Sequence, residues 1–121
     1  MKYEKNIIDA VSVFKKSASS DFGVDLQEDM IRAHIESKDF YAIYDDGVLV
    51  GAYYYNGNDL HMAMTKKGKG AAVIRKITRG RNARAVIDLW NTRVIRLCEL
   101  LGFEIMSSDG KQLYMVKSWD S

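Results

Sequence analysis

The stretch that decides the fold is LHMAMTKKGKGAA, residues 60–72. Residues 60–64 are predicted to form a strand, the two glycines a loop, and a helix is expected from Ala71 onward. Glycine lets a backbone come close to a ligand, and the first turn of a helix offers backbone N–H groups at the positive end of its dipole. A strand, a glycine loop and a helix in this order therefore predict a site for a phosphate or a pyrophosphate.

Three lysines in this loop, Lys66, Lys67 and Lys69, add positive charge to the segment. The loop lacks the Gly-x-x-x-x-Gly-Lys-Ser/Thr pattern of a Walker loop and the glycine fingerprint of a dinucleotide-binding fold. From these residues alone, a solvated lysine turn before a helix remains the alternative to an anion site.

Outward from this stretch, the pattern predicts two helices, three antiparallel strands, then a helix, a strand, a helix and a closing hairpin. The predicted helices are 4–17, 25–37, 71–79 and 92–101, and the predicted strands are 40–44, 48–55, 60–64, 84–90, 103–106 and 112–117. The strand–helix–strand crossover needs a parallel pair of strands. We therefore expect a mixed, mostly antiparallel sheet flanked by helices, an α/β (α+β) fold.

Local signals set the ends of some of these helices. Asp25 followed by Glu28 resembles a capping box for the second helix, and residues 17–23 read as a polar break after the first. Gly102 is expected to end the last helix. The alternation along Tyr53, Tyr54 and Tyr55 predicts at least one inward and one outward ring.

The chain has 121 residues and no proline, repeat or low-complexity segment, so one domain is expected, 1–121. No apolar run reaches the roughly 18 residues of a membrane helix, and no signal peptide is recognised. Cys98, the one cysteine, can form neither an internal disulfide nor a cysteine metal cage, and the two histidines match no metal motif. A cytoplasmic protein without a metal is the expectation.

The net charge of +2 hides an asymmetry along the chain. Residues 1–59 carry 11 acidic and 6 basic side chains, whereas residues 65–96 carry 10 basic and 1 acidic. One third of the chain is therefore suited to an anionic partner. Nucleic acid, a phosphorylated cofactor and an acidic protein all fit this charge.

Two short motifs point to one family. The segment KGKGAA, residues 67–72, resembles the Arg/Gln-x-x-Gly-x-Gly/Ala acyl-CoA loop of the GNAT acetyltransferase superfamily. Farther on, Asn91 follows a strand, and LCELLGF at 97–103 is similar to the Leu-Tyr-Glu-Lys-x-Gly-Phe signature of that superfamily. The resemblance covers about residues 40–117 and includes the hairpins on either side of these motifs.

The resemblance implies an acetyl-CoA-dependent N-acetyltransferase that acts on a primary amine, a protein lysine or a small molecule, by direct transfer. It implies that the strand residues Met62, Ala63 and Met64 pair with the pantetheine arm and that Asn91 lies beside the pantetheine or the thioester. The pyrophosphate would be bound by the loop and the helix start: Lys67, Gly68, Lys69, Gly70, Ala71 and Ala72. A cluster of arginines would meet the 3′-phosphate, with Arg75, Arg79, Arg93 and Arg96 as the candidates.

Two positions depart from the family pattern. The tyrosine that serves as general acid in the family is replaced by Cys98, which also lies on the apolar stripe of its helix and fits a core role. The glutamate base of the family is missing, and His61 is the candidate that remains for taking a proton from the amine. A partly exposed strand histidine is the plain alternative for His61, and His34 is assigned to structure. The first strand of the family looks short or missing here.

These departures keep other functions open. The segments NT…IRL at 91–97 and GKQL at 110–113 look like small GNAT-like proteins of tailed bacteriophages, some of which are structural or internal virion proteins. A non-catalytic GNAT-fold binding or virion protein in the host cytoplasm is therefore the alternative. Binding to nucleic acid through residues 65–96 is disfavoured, because the aromatic residues lie mostly at 40–55 and offer no stacking platform among the basic ones.

Overall fold

The computed structural model describes residues 1–118, with backbone alone for Asp21 and Phe22, so the last three positions of the predicted domain 1–121 lie outside the described residues. The elements in chain order are β1 (Lys2–Glu4), α1 (Ile7–Phe22), α2 (Glu28–Ile35), β2 (Asp39–Asp45), β3 (Val48–Asn56), β4 (Asp59–Met64), α3 (Gly70–Ile77), β5 (Ala83–Asp88), α4 (Thr92–Leu100), β6 (Glu104–Ser108) and β7 (Gln112–Lys117).

The strands form one seven-stranded sheet in the order β1-β2-β3-β4-β5-β7-β6. The pair β4–β5 is parallel, whereas β1–β2, β2–β3, β5–β7 and β6–β7 are antiparallel. The parallel pair is joined by α3, as a crossover connection requires. The predicted mixed, mostly antiparallel sheet flanked by helices is therefore confirmed.

The chain divides into two compact units, one of Met1–Asn56 with His61–Lys69 and one of Gly57–Leu60 with the residues from Gly70 onward. In the first unit, α1 and α2 bury one face each against β2, β3 and β4. The core residues of this unit are Ala10, Val11, Val13, Ile31, Ile35, Phe40, Ala52, Tyr54 and Ala63. This apolar layer holds β3 and β4 in place, because removing its area from water is the main favourable term in folding.

The start of α1 is fixed by a polar contact with β2. The Asn6 side chain accepts from the Asp9 N–H at 3.1 Å, which satisfies a donor of the first helical turn. The Tyr44 hydroxyl donates to the Asp9 carboxylate. Burial and this hydrogen bond raise the pKa of Tyr44 to about 12.

In the second unit, α3 buries Val73, Ile74 and Ile77. A buried lysine ties the end of this helix to the last strand: Lys117 Nζ donates to Thr78 Oγ1 at 3.1 Å, and Thr78 Oγ1 donates to the Ile74 carbonyl at 2.7 Å. The helix C-terminus favours a cation at this place, because the last carbonyl groups carry the negative end of the dipole.

The end of α4 is as predicted. Gly102 has a φ of 98°, a conformation that glycine adopts without strain. Its N–H donates to the Glu99 carbonyl at 3.1 Å, and the Phe103 N–H donates to the Cys98 carbonyl at 2.9 Å. These two bonds form a Schellman motif, which satisfies carbonyl groups at the helix end.

The first strand, expected to be short or missing, is present as the short β1. Three other expectations about the N-terminal segment were wrong. The first helix begins at Ile7 and not at residue 4, because β1 occupies Lys2–Glu4. The polar residues 17–22 continue α1, which ends at Gly23 in the left-handed conformation, because nothing before this glycine breaks the hydrogen-bond ladder. Asp25 does not cap α2: the cap position is Gln27, which makes no side-chain cap hydrogen bond.

The three consecutive tyrosines also differ from expectation. Tyr53, Tyr54 and Tyr55 are all buried, with 9%, 7% and 3% of their surface exposed. The Tyr53 ring contacts Tyr3, Tyr41 and Tyr55, whereas Tyr54 belongs to the core under α1 and α2. The alternation of the strand is therefore retained, but both of its faces are covered at this point.

Among residues 1–118, no helix has the length and apolar character needed to cross a membrane. The same residues contain no group of three or more histidine, cysteine, aspartate or glutamate side chains that could hold a metal ion.

Candidate functional site

The strand before the glycine loop is packed closely against its neighbour. A Cβ atom placed on Gly51 of β3 would lie 2.6 Å from Met64 Sδ and 2.8 Å from the Ala63 carbonyl oxygen. The Thr65 N–H then donates to the Val50 carbonyl at 2.8 Å. Since no side chain fits between these strands at Gly51, the backbone of β4 is held at a fixed position up to the start of the loop.

The glycine loop is tied to the β2–β3 hairpin by an ion pair. Lys69 Nζ lies 3.1 Å from Asp45 Oδ2, and the lysine holds the pKa of Asp45 below its usual range. Lys66 and Lys67 are exposed. The sequence predicted positive charge in this loop but not the ion pair of Lys69 with Asp45, which links the loop to the β2–β3 hairpin.

The backbone of the loop has room around it. Gly68 has a φ of 89°, and a Cβ atom built there would meet nothing within 4 Å. A Cβ atom on Gly70, the first residue of α3, would meet only Leu97 Cδ2 at 4.0 Å. The predicted loop between a strand and a helix start is confirmed in its geometry, and the glycine positions are not filled by other side chains.

The parallel pairing of β4 with β5 consists of one residue pair, Asp59 with Arg84. The Arg84 N–H donates to the Asn58 carbonyl at 2.7 Å, and its guanidinium forms two bonds to the Asp59 carboxylate, 2.5 Å and 2.8 Å long. Such a forked pair is more specific in geometry than a single contact. It holds the first residue of β4 to β5, and sequence reasoning did not find it.

His61, the candidate base, lies exposed on β4 and stacks on a tyrosine of β3. Its ring centroid is 4.6 Å from that of Tyr54, with 10° between the planes. Tyr54 also meets the His34 ring edge-on at 5.7 Å, so both histidines of the chain contact the same tyrosine. This contact agrees with the structural role assigned to His34.

Asn91 is the N-cap of α4, in the second unit. Its side-chain oxygen accepts from the Val94 N–H at 3.5 Å, and its carbonyl accepts from the Ile95 N–H at 3.2 Å. The residue that the family motif places beside the pantetheine therefore has a structural role as the cap of α4.

Cys98 is buried, with 3% of its surface exposed. Burial raises the pKa of its thiol to about 11, so the thiol is protonated near neutral pH. A protonated thiol can donate a proton, but the burial of Cys98 favours the core role that its place on the apolar stripe predicted. The four arginines suggested for the 3′-phosphate, Arg75, Arg79, Arg93 and Arg96, are all exposed.

Across residues 1–118, four helices and seven strands in this order form the fold of the GNAT-family acetyltransferases. The resemblance read from the two motifs is thereby confirmed for the fold. The catalytic and cofactor-binding roles given to individual residues stay predictions.

Three solved structures show the similarity. A variant of the spermidine N-acetyltransferase SpeG from Vibrio cholerae matches with a TM-score of 0.78 at 10% identity, covering 99% of this chain and 96% of that chain. The N-acetyltransferase PseH from Campylobacter jejuni, in complex with acetyl coenzyme A, matches at 0.70 and 15%, covering 97% and 96%. A GNAT-family acetyltransferase from Bacillus cereus matches at 0.71 and 13%, covering 95% and 93%.

At these identities the similarity establishes the fold. No protein-family model matches the sequence, and no curated protein matches it either.

Proposed function

We propose that this chain is an acetyl-CoA-dependent N-acetyltransferase. The observation that carries the proposal is the open glycine turn at Gly68 and Gly70, which connects β4 to α3 in a fold that holds acetyl coenzyme A in PseH. The backbone amides at the start of α3 have no carbonyl partner within the helix, and they suit a diphosphate.

The roles follow the chain. The backbone of Met62, Ala63 and Met64 pairs with the pantetheine arm, and Asn91 lies beside it. The pyrophosphate is bound by the amides of Gly68, Lys69, Gly70, Ala71 and Ala72, with the charge of Lys67 beside them. The ion pair of Lys69 with Asp45 supports this geometry, because a loop already held in shape loses less entropy when it binds.

The chemistry is a direct transfer. The nitrogen of a neutral amine forms a bond to the acetyl carbonyl carbon, the bond from that carbon to sulfur breaks, and the thiolate leaves with the electron pair. His61 accepts the proton that the ammonium loses, directly or through one water. The Met64 amide stabilises the negative charge on the carbonyl oxygen. Cys98 is the candidate proton donor to the thiolate, although its burial argues for a core role.

The acceptor that fits best is a small aliphatic amine in the cytoplasm. SpeG acts on spermidine, by its name. In the first unit, a groove between α1 and α2 is lined by three apolar side chains, two carboxylates and one guanidinium, and its excess of one negative charge is compatible with a cation on an aliphatic chain. Its lining residues are Ile7, Ile8, Val11, Glu28, Asp29 and Arg32.

The test is isothermal titration of the protein with acetyl-CoA and with desulfo-CoA, followed by an acetylation assay with spermidine and a lysine peptide. Gly70→Glu is expected to abolish binding through its bulk and negative charge while the melting temperature is retained. Gly70→Ala is the matched control, because its Cβ atom has room. Unchanged affinity in Gly70→Glu would refute the loop assignment.

The same measurement separates the alternative function. Binding of acetyl-CoA without turnover of any amine would favour the non-catalytic GNAT-fold protein, whether it belongs to a bacteriophage virion or acts as a binding module. The replacement of the family tyrosine by the buried Cys98 is the observation in favour of this alternative. No binding of either CoA compound would sink the cofactor proposal itself.

A further inference from the structure

The stack of His61 on Tyr54 joins an exposed titratable ring to a buried aromatic one. The ring centroids are 4.6 Å apart and the planes are nearly parallel, at 10°. His61 is exposed, whereas only 7% of the Tyr54 surface is accessible. One face of the exposed histidine ring therefore lies on the buried Tyr54 ring.

The Tyr54 ring is itself held from other sides. The Phe14 ring of α1 meets Tyr54 edge-on at 5.3 Å and 72°, and the His34 ring of α2 meets it edge-on at 5.7 Å and 86°. Tyr54 is also part of the core cluster under these two helices. A ring packed in this way keeps one rotamer, because interiors are packed as densely as organic crystals.

A histidine on a strand rotates about two side-chain bonds, and only a small part of that freedom points a ring nitrogen at a given proton. General-base catalysis requires the nitrogen within hydrogen-bond reach of the proton that it removes. A flat, immobile ring under the imidazole removes most of the unproductive orientations before the substrate arrives, and such positioning lowers the barrier.

We propose that Tyr54 is a positioning residue for His61, and that its ring fixes the plane of the imidazole for proton removal from the acceptor ammonium. The proposal rests on the proposed function, in which His61 is the base. In this proposal Tyr54 acts through His61 and not on the substrate itself. Its phenol ring carries this role, and its hydroxyl group is not needed for it.

The experiment compares Tyr54→Phe, which keeps the ring, with Tyr54→Leu, which removes it. Tyr54→Leu is expected to lower kcat about tenfold or more, a part of the hundredfold or greater effect of a positioned base. The KM for acetyl-CoA should stay unchanged in both variants, and Tyr54→Phe should keep the kcat of the parent protein. His34→Ala is the control, because it removes one edge contact but keeps the Tyr54 ring under the imidazole, so its kcat should fall much less than that of Tyr54→Leu.

Several outcomes overturn the proposal. An unchanged kcat in Tyr54→Leu, beside a reduced kcat in His61→Ala, leaves the enzyme and its base intact but removes Tyr54 from positioning. An unchanged kcat in His61→Ala removes the base and the positioning role together, while binding of acetyl-CoA still supports the cofactor site. Should Tyr54→Leu not fold, two measurements decide: the nuclear Overhauser effect between the two rings in the parent protein and the kcat of Tyr54→Phe. Absence of the effect, or a kcat of Tyr54→Phe as low as that of His61→Ala, overturns the proposal, whereas the effect together with the parental kcat in Tyr54→Phe supports it.

Discussion

Gly51 is the residue at which β3 approaches β4 too closely for any side chain. A Cβ atom there would lie 2.8 Å from the Ala63 carbonyl oxygen, and backbone cannot yield as a flexible side chain can. Gly51→Ala should therefore reduce the free energy of unfolding by about 1–3 kcal/mol, the usual cost of overpacking. Urea unfolding measures this change.

The control for Gly51→Ala is Gly70→Ala, which adds the same methyl group where the nearest atom is 4.0 Å away. Equal stability of the Gly51 variant and the parent would show that β3 and β4 can separate at this point. In that case the fixed position that we give to the backbone of Ala63 and Met64 is wrong.

The burial of Cys98 predicts a pH dependence of stability. Its pKa rises from an ordinary value of 9.0 to about 11 in the folded chain. Below pH 9 the thiol is neutral in both states, and its contribution is fully present. As the pH rises from about 9 to about 11, the unfolded chain ionises first, so about 2–3 kcal/mol of stability is lost.

The measurement is urea unfolding of the parent and of Cys98→Ala at several pH values between about 8 and about 11. The stability difference between the two proteins should shrink over this range, since the alanine has no proton to lose. The raised pKa values of Tyr44 and Tyr53 are common to both proteins and cancel in the difference. A constant difference would mean that the thiol is solvated, which would reopen a role for it as a proton donor.

At the scale of elements, α4 depends on its cap. Asn91→Ala removes the oxygen that accepts from the Val94 N–H and should cost about 0.5–2 kcal/mol of stability. Asn91→Ser keeps a capping oxygen but shortens the side chain, so the stability should remain near that of the parent. Thermal melting of the two variants tests the cap.

The same two variants separate the cap from the cofactor role. If the Asn91 amide contacts the pantetheine arm, Asn91→Ser should bind acetyl-CoA more weakly while its melting temperature is retained. If titration shows that Asn91→Ser binds acetyl-CoA with the affinity of the parent protein, Asn91 has only its structural role as the cap of α4.

Most elements could be predicted from periodicity and turn residues. The hairpin around Asp46 and Gly47 and the closing stripe of α4 are local signals, and both are confirmed. The length of α1 could not be predicted, because Ser17, Ser19 and Ser20 neither favour nor forbid a helix strongly, and the helix ends only at Gly23, which adopts the left-handed conformation. The cap of α2 failed for a similar reason: Asp25 and Glu28 have capping-box spacing, but the chain enters the helix two residues later.

Only those features of the candidate site that depend on adjacent residues could be predicted. The order of β4, loop and α3 is such a feature, and the sequence predicted it correctly. The contacts of Asp45 with Lys69, Tyr54 with His61 and Asp59 with Arg84 join residues that are 7 to 25 positions apart. They depend on strand register, which turn geometry and packing set together and which no single segment encodes.

At the scale of the whole molecule, the charge is divided between segments. The acidic residues 1–59 lie mostly in the first compact unit, and the four candidate arginines lie in the second. All four arginines are exposed. Arg75 and Arg79 lie at the end of α3, and Arg93 and Arg96 lie on α4. Exposed charges at this density attract a polyanion at low salt, so the affinity for nucleic acid must be compared with that for the cofactor.

The last prediction uses the 3′-phosphate to find its partner. Two double variants are compared. One replaces Arg75 and Arg79 with glutamine, and the other replaces Arg93 and Arg96 with glutamine. The pair that meets the 3′-phosphate should lower the affinity for acetyl-CoA about tenfold and leave that for the 3′-dephospho compound almost unchanged, because the lost hydrogen bonds involve that phosphate alone. The other pair serves as the control.

Equal losses of affinity for both compounds in both variants would show a general electrostatic effect of the arginines and no specific contact with the 3′-phosphate. A steep salt dependence, with tighter binding to an oligonucleotide than to acetyl-CoA, would instead assign these arginines to nucleic acid.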